Sequence, residues 1–479
     1  MKLLLGVPAM MLMVVCAVSA QVQGVPGAAD ASGQAVPAID FPNVQNPLLG
    51  GIPTGQPTGA VMPLSLSEAL KRGLNYNLGA LLSAEQVHAA QGARITALSR
   101  LLPHLDAGLR EVQQQVNLEA FGFQGSPGMR TVVGPFNVFD TRVSLSQTVL
   151  DFTALNRHRA EKENVKAAQF TNENTRDLVV YVCANLYLRA IASRSRIDAT
   201  RAQVNTAQAL YDLALDQKAA GVVPAIDVLR AQVELQAQQQ RLIVVEDQFE
   251  KDKLSLASAI GLPLGQEFSL TESMSYAPSR PMSLDEAVQR AYQERPDYQN
   301  AQALVRSAEL DRKAATAQRL PSIGFNADYG IIGQRPWDSH GTFAVSASVR
   351  IPIYQGGSVR GMTYQAEAAL RRRQAELDNL RGRIYYDVRN AFLDLKAAAD
   401  RVQVAQSAVK LAGEQVLQSQ DRFRAGVTNN VEVVQAQEAL ATASENYIAG
   451  LQAHNAAKLA LARAVGISDT EYEQFLKGQ

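Results

Sequence analysis

Two long stretches of the chain contain no proline, and they constrain the fold more than any other feature of the sequence. They run from about Thr153 to Gly221 and from about Gly357 to Gly426. At ~1.5 Å of rise per residue, a helix of about 70 residues would extend for roughly 100 Å, which no globular domain requires. The glycine at the end of each stretch is expected to reverse the chain, and a second helical arm then returns to Gly261 or Gly466.

Large side chains recur every seven positions along these arms, and in the second half small ones follow three positions later. The large positions of the second half are Val402, Val409, Val416 and Phe423 before the turn, and Val433, Leu440, Tyr447, His454 and Leu461 after it. The returning arm of the first half has the same spacing at Val228, Leu235, Leu242, Phe249 and Leu256. A seven-residue repeat predicts supercoiled helix seams. For the arms alone, a plain antiparallel coiled-coil rod is the simpler alternative.

The chain contains the same plan twice. Leu66-Ser67-Glu68-Ala69 returns 218 positions later as Leu284-Asp285-Glu286-Ala287, and later landmarks, the turn glycines among them, return after 205 positions. A period this long indicates a duplicated half rather than a solenoid. The first repeat is predicted to cover residues 64–280, and the second to cover residues 281–479.

Each repeat is predicted to begin with a short amphipathic helix and to continue with two strands and two long helices. The short helix begins after Ser65 or Ser283, each of which has a glutamate three residues on in a capping-box pattern. It is expected to end at a Leu-Pro pair, because proline cannot continue it. The strands are placed within 104–152 and 322–354, and the long helices within 153–260 and 357–465.

The predicted strands alternate apolar and polar side chains. In the clearest one, residues 342–353, the apolar face consists of Phe343, Val345, Ala347, Val349, Ile351 and Ile353. Residues 105–121 change phase near Arg110, which predicts a β-bulge there. Strands of about ten residues with one apolar and one polar face are typical of a membrane barrel. A soluble sandwich with one wet face fits the strand pattern equally well.

The chain begins with a predicted signal peptide, residues 1–20, and a predicted flexible leader, residues 21–63. Lys2 supplies the positive start, an apolar run follows, and Val18-Ser19-Ala20 is the small-residue cleavage site. The run is too short to span a bilayer, which disfavours a membrane anchor. The leader is rich in Pro, Gly, Ala and Gln and has no apolar periodicity. The sequence leaves open whether Cys16 carries a lipid.

Composition and motifs argue against an enzyme and against a nucleic-acid-binding protein. The 46 basic and 46 acidic residues cancel, so no excess of positive charge indicates nucleic acid. The five histidines show no metal-ligand spacing, and no phosphate-binding glycine loop or Gly-x-Ser-x-Gly motif is present. Cys183 would be the one cysteine of the mature chain, so no internal disulfide is expected. We therefore predict no catalytic residue, no metal and no cofactor.

One chain is not sufficient to complete either part of this architecture. Four strands cannot close a barrel, because the smallest stable ones use about eight. Four long arms cannot bury all of their apolar stripes. Both deficits disappear if several chains associate around an axis, and three chains would supply twelve strands and twelve arms.

In their order along the chain, these features resemble the TolC-type outer-membrane efflux protein family over about residues 64–470. Besides the duplicated opening helix, the motifs are the strand exits Thr148-Val149-Leu150-Asp151 and Ile351-Pro352-Ile353-Tyr354-Gln355-Gly356-Gly357, and the turns Ala220-Gly221-Val222-Val223-Pro224-Ala225-Ile226-Asp227-Val228 and Arg424-Ala425-Gly426-Val427-Thr428-Asn429-Asn430-Val431-Glu432-Val433. The resemblance implies a mainly α fold with a small β part. Duplicated long antiparallel coiled-coil helices would form a trimeric α-barrel, topped by a 12-stranded transmembrane β-barrel with four strands per chain.

The resemblance also implies a passive exit duct in the outer membrane that extends into the periplasm. A homotrimer surrounded by outer-membrane lipid would conduct substrates from an inner-membrane pump of the resistance-nodulation-division, ABC or major-facilitator type. A periplasmic adaptor protein would dock at the two turns. The expected docking residues are Gly221, Val222, Val223, Gly426, Val427 and Thr428.

A periplasmic aperture is expected just above these turns, at Asp227, Asn429, Asn430 and Glu432. Glu432 of three chains would form a ring of carboxylates, which favours cations. The family often ties the outer-turn aspartate to a basic residue of the inner turn. Here the inner turn has Asn429 and Asn430, so a latch of neutral hydrogen bonds from one of them to Asp227 is expected. The alternative for the two acidic residues is simple solvation of helix ends.

The sequence leaves several functional alternatives open. An exported coiled-coil scaffold or adhesin without a pore is the competing function. For a duct, the cargo could be a drug, a metal, a solvent or a protein. The class of pump and the open or closed resting state of the aperture also remain open.

Overall fold

The computed structural model describes residues 46–122, 130–278 and 282–467. The predicted signal peptide with Cys16, the leader as far as residue 45 and the end of the second repeat from residue 468 lie outside the described residues.

The two repeats contain the same order of two short helices, two strands and two long helices. In the first repeat these are α1 Leu66–Tyr76, α2 Leu78–Ser99, β2 His104–Asn117, β3 Val132–Leu150, α3 Phe152–Ala219 and α4 Ala225–Ala259, flanked by β1 Met62–Leu64 and β4 Phe268–Leu270. In the second repeat they are α5 Leu284–Glu294, α6 Pro296–Ala317, β5 Ser322–Gly333, β6 Ser339–Arg350, α7 Ser358–Arg424 and α8 Asn430–Val465. The predicted mainly helical fold with long antiparallel helices and four strands per chain is confirmed.

The opening segment of each repeat differs from the single short helix that the sequence predicts. It is two helices, because the backbone is extended at Asn77 between α1 and α2 and at Arg295 between α5 and α6. The Asn77 side chain accepts a hydrogen bond from the Gly79 amide at 2.9 Å and caps the second helix. Arg295 precedes Pro296, and the proline ring clashes with a preceding residue that has helical geometry. Arg295 is therefore extended, and α5 ends before it.

The four long strands form one antiparallel sheet in the order β2-β3-β5-β6. The irregularity in β2 lies between Gln114 and Val116 and not near Arg110, so the predicted position of the bulge is wrong. Arg142 on β3 pairs with Asp140 at 2.9 Å and with Asp328 of β5 at 2.5 Å, which ties the two repeats together across the sheet. Within the described residues, the outer edges of β2 and β6 have no partner strand.

The part of the predicted leader that the structure describes is fixed against the first repeat. β1 pairs in parallel with β4, and the side-chain amide of Asn77 donates to the carbonyl of Leu48 at 2.8 Å. The Tyr187 hydroxyl also donates to the carbonyl of Leu64 at 3.0 Å. Residues 46–63 of the predicted leader are thus attached to the first repeat at their two ends, where Leu48 is partly buried and Met62 pairs with Phe268.

The interior consists of thin seams between long helices, as the alanine-rich composition suggests. Val402, Val416 and Phe423 of the predicted heptad are buried along α7. Cys183 is buried where α3 passes α1, and burial raises the pKa of its thiol to about 12. No helix within residues 46–122, 130–278 and 282–467 is long and apolar enough to cross a membrane.

Candidate functional site

The two turns that join the long helices have the same backbone geometry. Gly221 and Gly426 both have positive φ, +74° and +69°. Past each glycine, a valine amide donates back to a carbonyl five residues earlier: Val222 to Gln217 at 2.8 Å and Val427 to Arg422 at 3.0 Å. This is the Schellman pattern, in which the residue with positive φ is usually glycine because it has no Cβ.

The tips of both turns expose apolar surface. The Val222 side chain is 60 % exposed and that of Val427 is 69 % exposed. A Cβ built on either glycine would meet no atom within 4 Å, so the space beside both turns is open. Val223 instead packs inward against the cluster formed by Leu210, Phe423 and Val433.

The two turns lie side by side at the same level of the molecule. The side-chain amide of Asn430 donates to the main-chain carbonyl of Asp227 at 3.1 Å. Gln217 donates to the carbonyl of Phe423 at 3.4 Å. Leu210 of α3 packs between Phe423 and Val433 of the second repeat. These contacts join one hairpin to the other immediately above the turns.

The expected neutral latch is therefore present in part, but with different atoms. Asn430 contacts the backbone of Asp227 rather than its carboxylate, and its own Oδ1 is buried without a partner among the described residues. Asn429 is exposed and makes no side-chain capping bond. The carbonyl of Asp227 lies in the first turn of α4, next to the start of α8, where the side-chain amide of Asn430 can reach it.

Both acidic residues of the predicted aperture are tied within their own hairpin. The Asp227 carboxylate, which is nearly buried, lies 3.3 Å from Arg230 one turn along α4. Glu432 lies 3.4 Å from Arg422 across the second turn and accepts a short hydrogen bond from Thr428. Glu432 thus has a basic partner that the sequence analysis missed. Its signal was the pairing of positions across the turn, since Arg422 and Glu432 lie five residues to either side of Val427.

The arrangement at the turns has no reactive chemistry. Among the described residues, no group of three or more His, Cys, Asp and Glu side chains could hold a metal ion. The side chains that converge are an amide, two ion pairs and exposed valines. Such a set can contact a partner protein or interact with passing ions.

Comparison with known proteins agrees with the fold and with its two repeats. The profile of the family described as "Outer membrane efflux protein" matches residues 77–262 and 287–467. The "Pyoverdine export outer membrane protein OpmQ" of Pseudomonas aeruginosa is 24 % identical over 410 residues, which cover 84 % of this chain and 85 % of that protein. The "Alkaline protease secretion protein AprF" of the same species is 23 % identical over 321 residues, 64 % of this chain and 65 % of that protein.

Solved structures share the fold at low sequence identity. The structure of the Campylobacter jejuni CmeC outer membrane channel superimposes with a TM-score of 0.75 at 15 % identity, and covers 92 % of this chain and 98 % of that one. The predicted family, fold and location are confirmed by these matches. The chain belongs to the outer membrane efflux protein family, whose members are non-enzymatic channels of efflux and secretion systems that extend from the outer membrane into the periplasm.

Proposed function

We propose that three copies of this chain assemble into a passive exit duct, and that a periplasmic adaptor docks on the paired turns to connect the duct with an inner-membrane pump. The observation that carries the proposal is a pair of exposed apolar stripes, one on α4 and one on α7. At two positions along their length, members of the two stripes lie at nearly equal heights above the turns.

The first stripe lies on α4 and the second on α7. The other two long helices, α3 and α8, pack against each other and join the two hairpins. The α4 stripe consists of Ile226, Leu229, Val233, Val244 and Leu254, all exposed in the single chain. The α7 stripe consists of Tyr364, Tyr386, Leu393, Val404 and Leu411, also exposed. Members of the α7 stripe are spaced by seven or by multiples of eleven residues. Members of the α4 stripe are spaced by three, four, ten or eleven residues. Each of these spacings is close to a whole number of helical turns, so each set lies along one helix face. Large apolar side chains that recur along one exposed helix face indicate a contact surface more often than single scattered ones do.

The heights of the two stripes above the turns agree. Val244 lies 23 residues after Gly221, and Val404 lies 22 residues before Gly426. Leu254 and Leu393 lie equally far from their glycines, 33 residues in each case. Because both turns are at the same level and helices rise ~1.5 Å per residue, these pairs differ by only about 2 Å in height. Packing α7 of one copy against α4 of the next would therefore bury both stripes.

The sheet supports the same assembly. β2 and β6 leave their outer edges without a partner within the described residues, and unpaired edges promote association with another chain. Three copies joined edge to edge would give twelve strands, enough to close the sheet on itself.

The exposed turns support adaptor docking. Val222 and Val427 present apolar surface, and the neighbouring glycines leave room for another backbone to approach. The relatives are named for exporting pyoverdine and for secreting a protease, which are very different cargoes. We therefore assign the choice of cargo to the pump and only its passage to the duct.

Purified protein reconstituted in planar bilayers tests the duct. Crosslinking should stop at three copies, and the trimers should conduct ions. A trimer that never conducts would favour the exported scaffold or adhesin instead. A monodisperse monomer would contradict the proposal.

The turn glycines test docking separately. Gly426→Ala should retain export, because a single Cβ meets open space and the positive φ costs only about 1 kcal/mol. Gly426→Trp should abolish export while the trimer still forms and conducts. Gln403→Trp, at an exposed site on α7 far from the turn, is the matched control. Normal export by Gly426→Trp would place the adaptor elsewhere.

A further inference from the structure

An apolar cavity of about 420 Å³ opens where α4 ends, and the established fold gives it no occupant. Leu254, Ala257, Pro263 and Leu264 line it, and Phe268 forms part of the wall. Leu264 is 80 % exposed at its rim. An exposed leucine beside a hollow of this size indicates a surface that a partner fills.

The cavity lies at the upper end of the α4 stripe. Leu254 belongs both to that stripe and to the cavity lining. α4 ends at Ala259, 38 residues beyond Gly221, and the cavity wall continues into residues 262–268. Whatever covers the stripe would therefore reach the cavity by continuing upward along the same line.

On α7, the stripe continues at this height as a tyrosine. Tyr386 lies 40 residues before Gly426, which places it about 3 Å above the level of Ala259 at ~1.5 Å per residue. Its side chain is 64 % exposed, and the ring of Tyr385 contacts it edge-on with centroids 5.7 Å apart. The contact restricts the Tyr386 ring, so little conformational freedom remains to be lost on binding.

The charges around the tyrosine and around the cavity are complementary. Arg383 lies one turn above Tyr386 and Arg389 lies one turn below it, and neither guanidinium has a partner among the described residues. At the cavity rim, the Glu267 carboxylate is likewise unpartnered within the described chain, while Glu250 lies 3.1 Å from Lys253. Opposite charges around an apolar contact fix its register and orientation.

We propose that Tyr386 of one copy inserts into the cavity at the end of α4 of the next copy, with Arg383 and Arg389 directed at the Glu267 side of the rim. This contact rests on the trimer proposed above. It identifies Tyr386 as the residue that sets the register of α7 of one copy against α4 of the next. A second copy is the occupant because the stripes below the cavity match and lead α7 directly to it.

Paired cysteines test this contact. In the full-length protein, Tyr386→Cys with Leu264→Cys should crosslink through a short bis-maleimide, which adds one thiol at each end, to give covalent trimers. Val404→Cys with Val244→Cys is the reference pair lower on the same stripes. Tyr364→Cys with Leu264→Cys is the negative control, because Tyr364 lies 22 residues, about 33 Å, further along α7.

The outcomes separate this proposal from the trimer itself. Trimers from the reference pair and from the Tyr386 pair, but not from the Tyr364 pair, would support it. Trimers from the reference pair alone would overturn the insertion of Tyr386 while the proposed duct stands. No crosslinking by any pair would overturn both.

Substitutions without crosslinkers give an independent readout. Tyr386→Ala should shorten the lifetime of the trimer in detergent about tenfold, because a buried aromatic ring is lost. Tyr386→Phe should retain most of that lifetime, since the apolar ring still fills the cavity. Arg389→Glu should weaken the trimer, and adding Glu267→Arg should restore it. Equal lifetimes for Tyr386→Ala and the unmodified trimer would contradict the proposal.

Discussion

The side-chain amide of Asn430 donates to the main-chain carbonyl of Asp227 at 3.1 Å, and this bond joins the two hairpins just above their turns. Asn430 is completely buried, yet its Oδ1 has no partner among the described residues. The described residues thus provide a partner for one N–H of this amide and none for its oxygen. A contact of this kind holds the hairpins together with a small net free energy.

Asn430→Ala should loosen this connection. The expected loss is about 1 kcal/mol or less, because one hydrogen bond disappears together with an unsatisfied oxygen. We expect higher single-channel conductance with little change in the unfolding temperature. Asn429→Ala is the control, since that side chain is exposed and makes no capping bond. Identical conductance of both variants would show that the bond does not restrain the hairpins.

The charge of Glu432 should contribute to ion selectivity. Three copies would bring three such carboxylates around one axis, and Glu432→Gln should lower the permeability ratio of cations to anions roughly twofold or more. Arg422→Gln should raise this ratio, because Arg422 lies 3.4 Å from Glu432 and offsets its charge.

Reversal potentials in a salt gradient measure these changes. Glu414→Gln, at an exposed site on α7, is the matched control. Unchanged reversal potentials for both aperture variants would place Glu432 outside the pore.

Acid should destabilise the region where residues 271–278 pack on α8. His454 is buried under the ring of Tyr276, with centroids 4.8 Å apart. Burial and the nearby Lys458 ammonium lower the pKa of the His454 imidazole below its usual value. The folded state therefore binds this proton less readily than the unfolded chain. The stabilisation is present above about pH 6.5 and is lost as the pH falls through the lowered folded pKa.

Unfolding temperatures measured between pH 8 and pH 5 test this dependence. His454→Gln should flatten the profile, whereas the exposed His88→Gln should leave it unchanged. A profile that keeps its slope in His454→Gln would assign the acid sensitivity to other groups.

The Cys183 thiol should be unreactive in the folded protein. It is buried beside Gly73 and Val179, and burial raises its pKa to about 12, so almost no thiolate exists at pH 8. A maleimide reagent should label it at least about a hundredfold faster in denaturant than in the native state. Rapid labelling of the native protein would show that α3 separates from α1 in solution. Because Cys183 is unreactive, it should not interfere with the crosslinking of the introduced cysteine pairs.

Local signals in the sequence determined the architecture. Proline-free stretches and the seven-residue repeat placed the long helices to within a few residues of α3 and α7, because helix continuity depends mainly on local backbone bonding. The alternation of apolar and polar side chains placed the four long strands, because successive side chains of a strand point to opposite faces of the sheet. Glycine at the two turns was predictable because positive φ is a property of that residue itself.

The tertiary structure decided which side chains meet. Whether Asn430 reaches the carboxylate or the carbonyl of Asp227 depends on how two hairpins 205 positions apart are rotated about their axes, and no local pattern carries that angle. The ion pair of Glu432 with Arg422 and the cavity beside Leu264 are also products of packing between distant segments. The sequence therefore specified the long helices, the four long strands and their order. Long-range packing specified the contacts at the turns and the surface that another copy would cover.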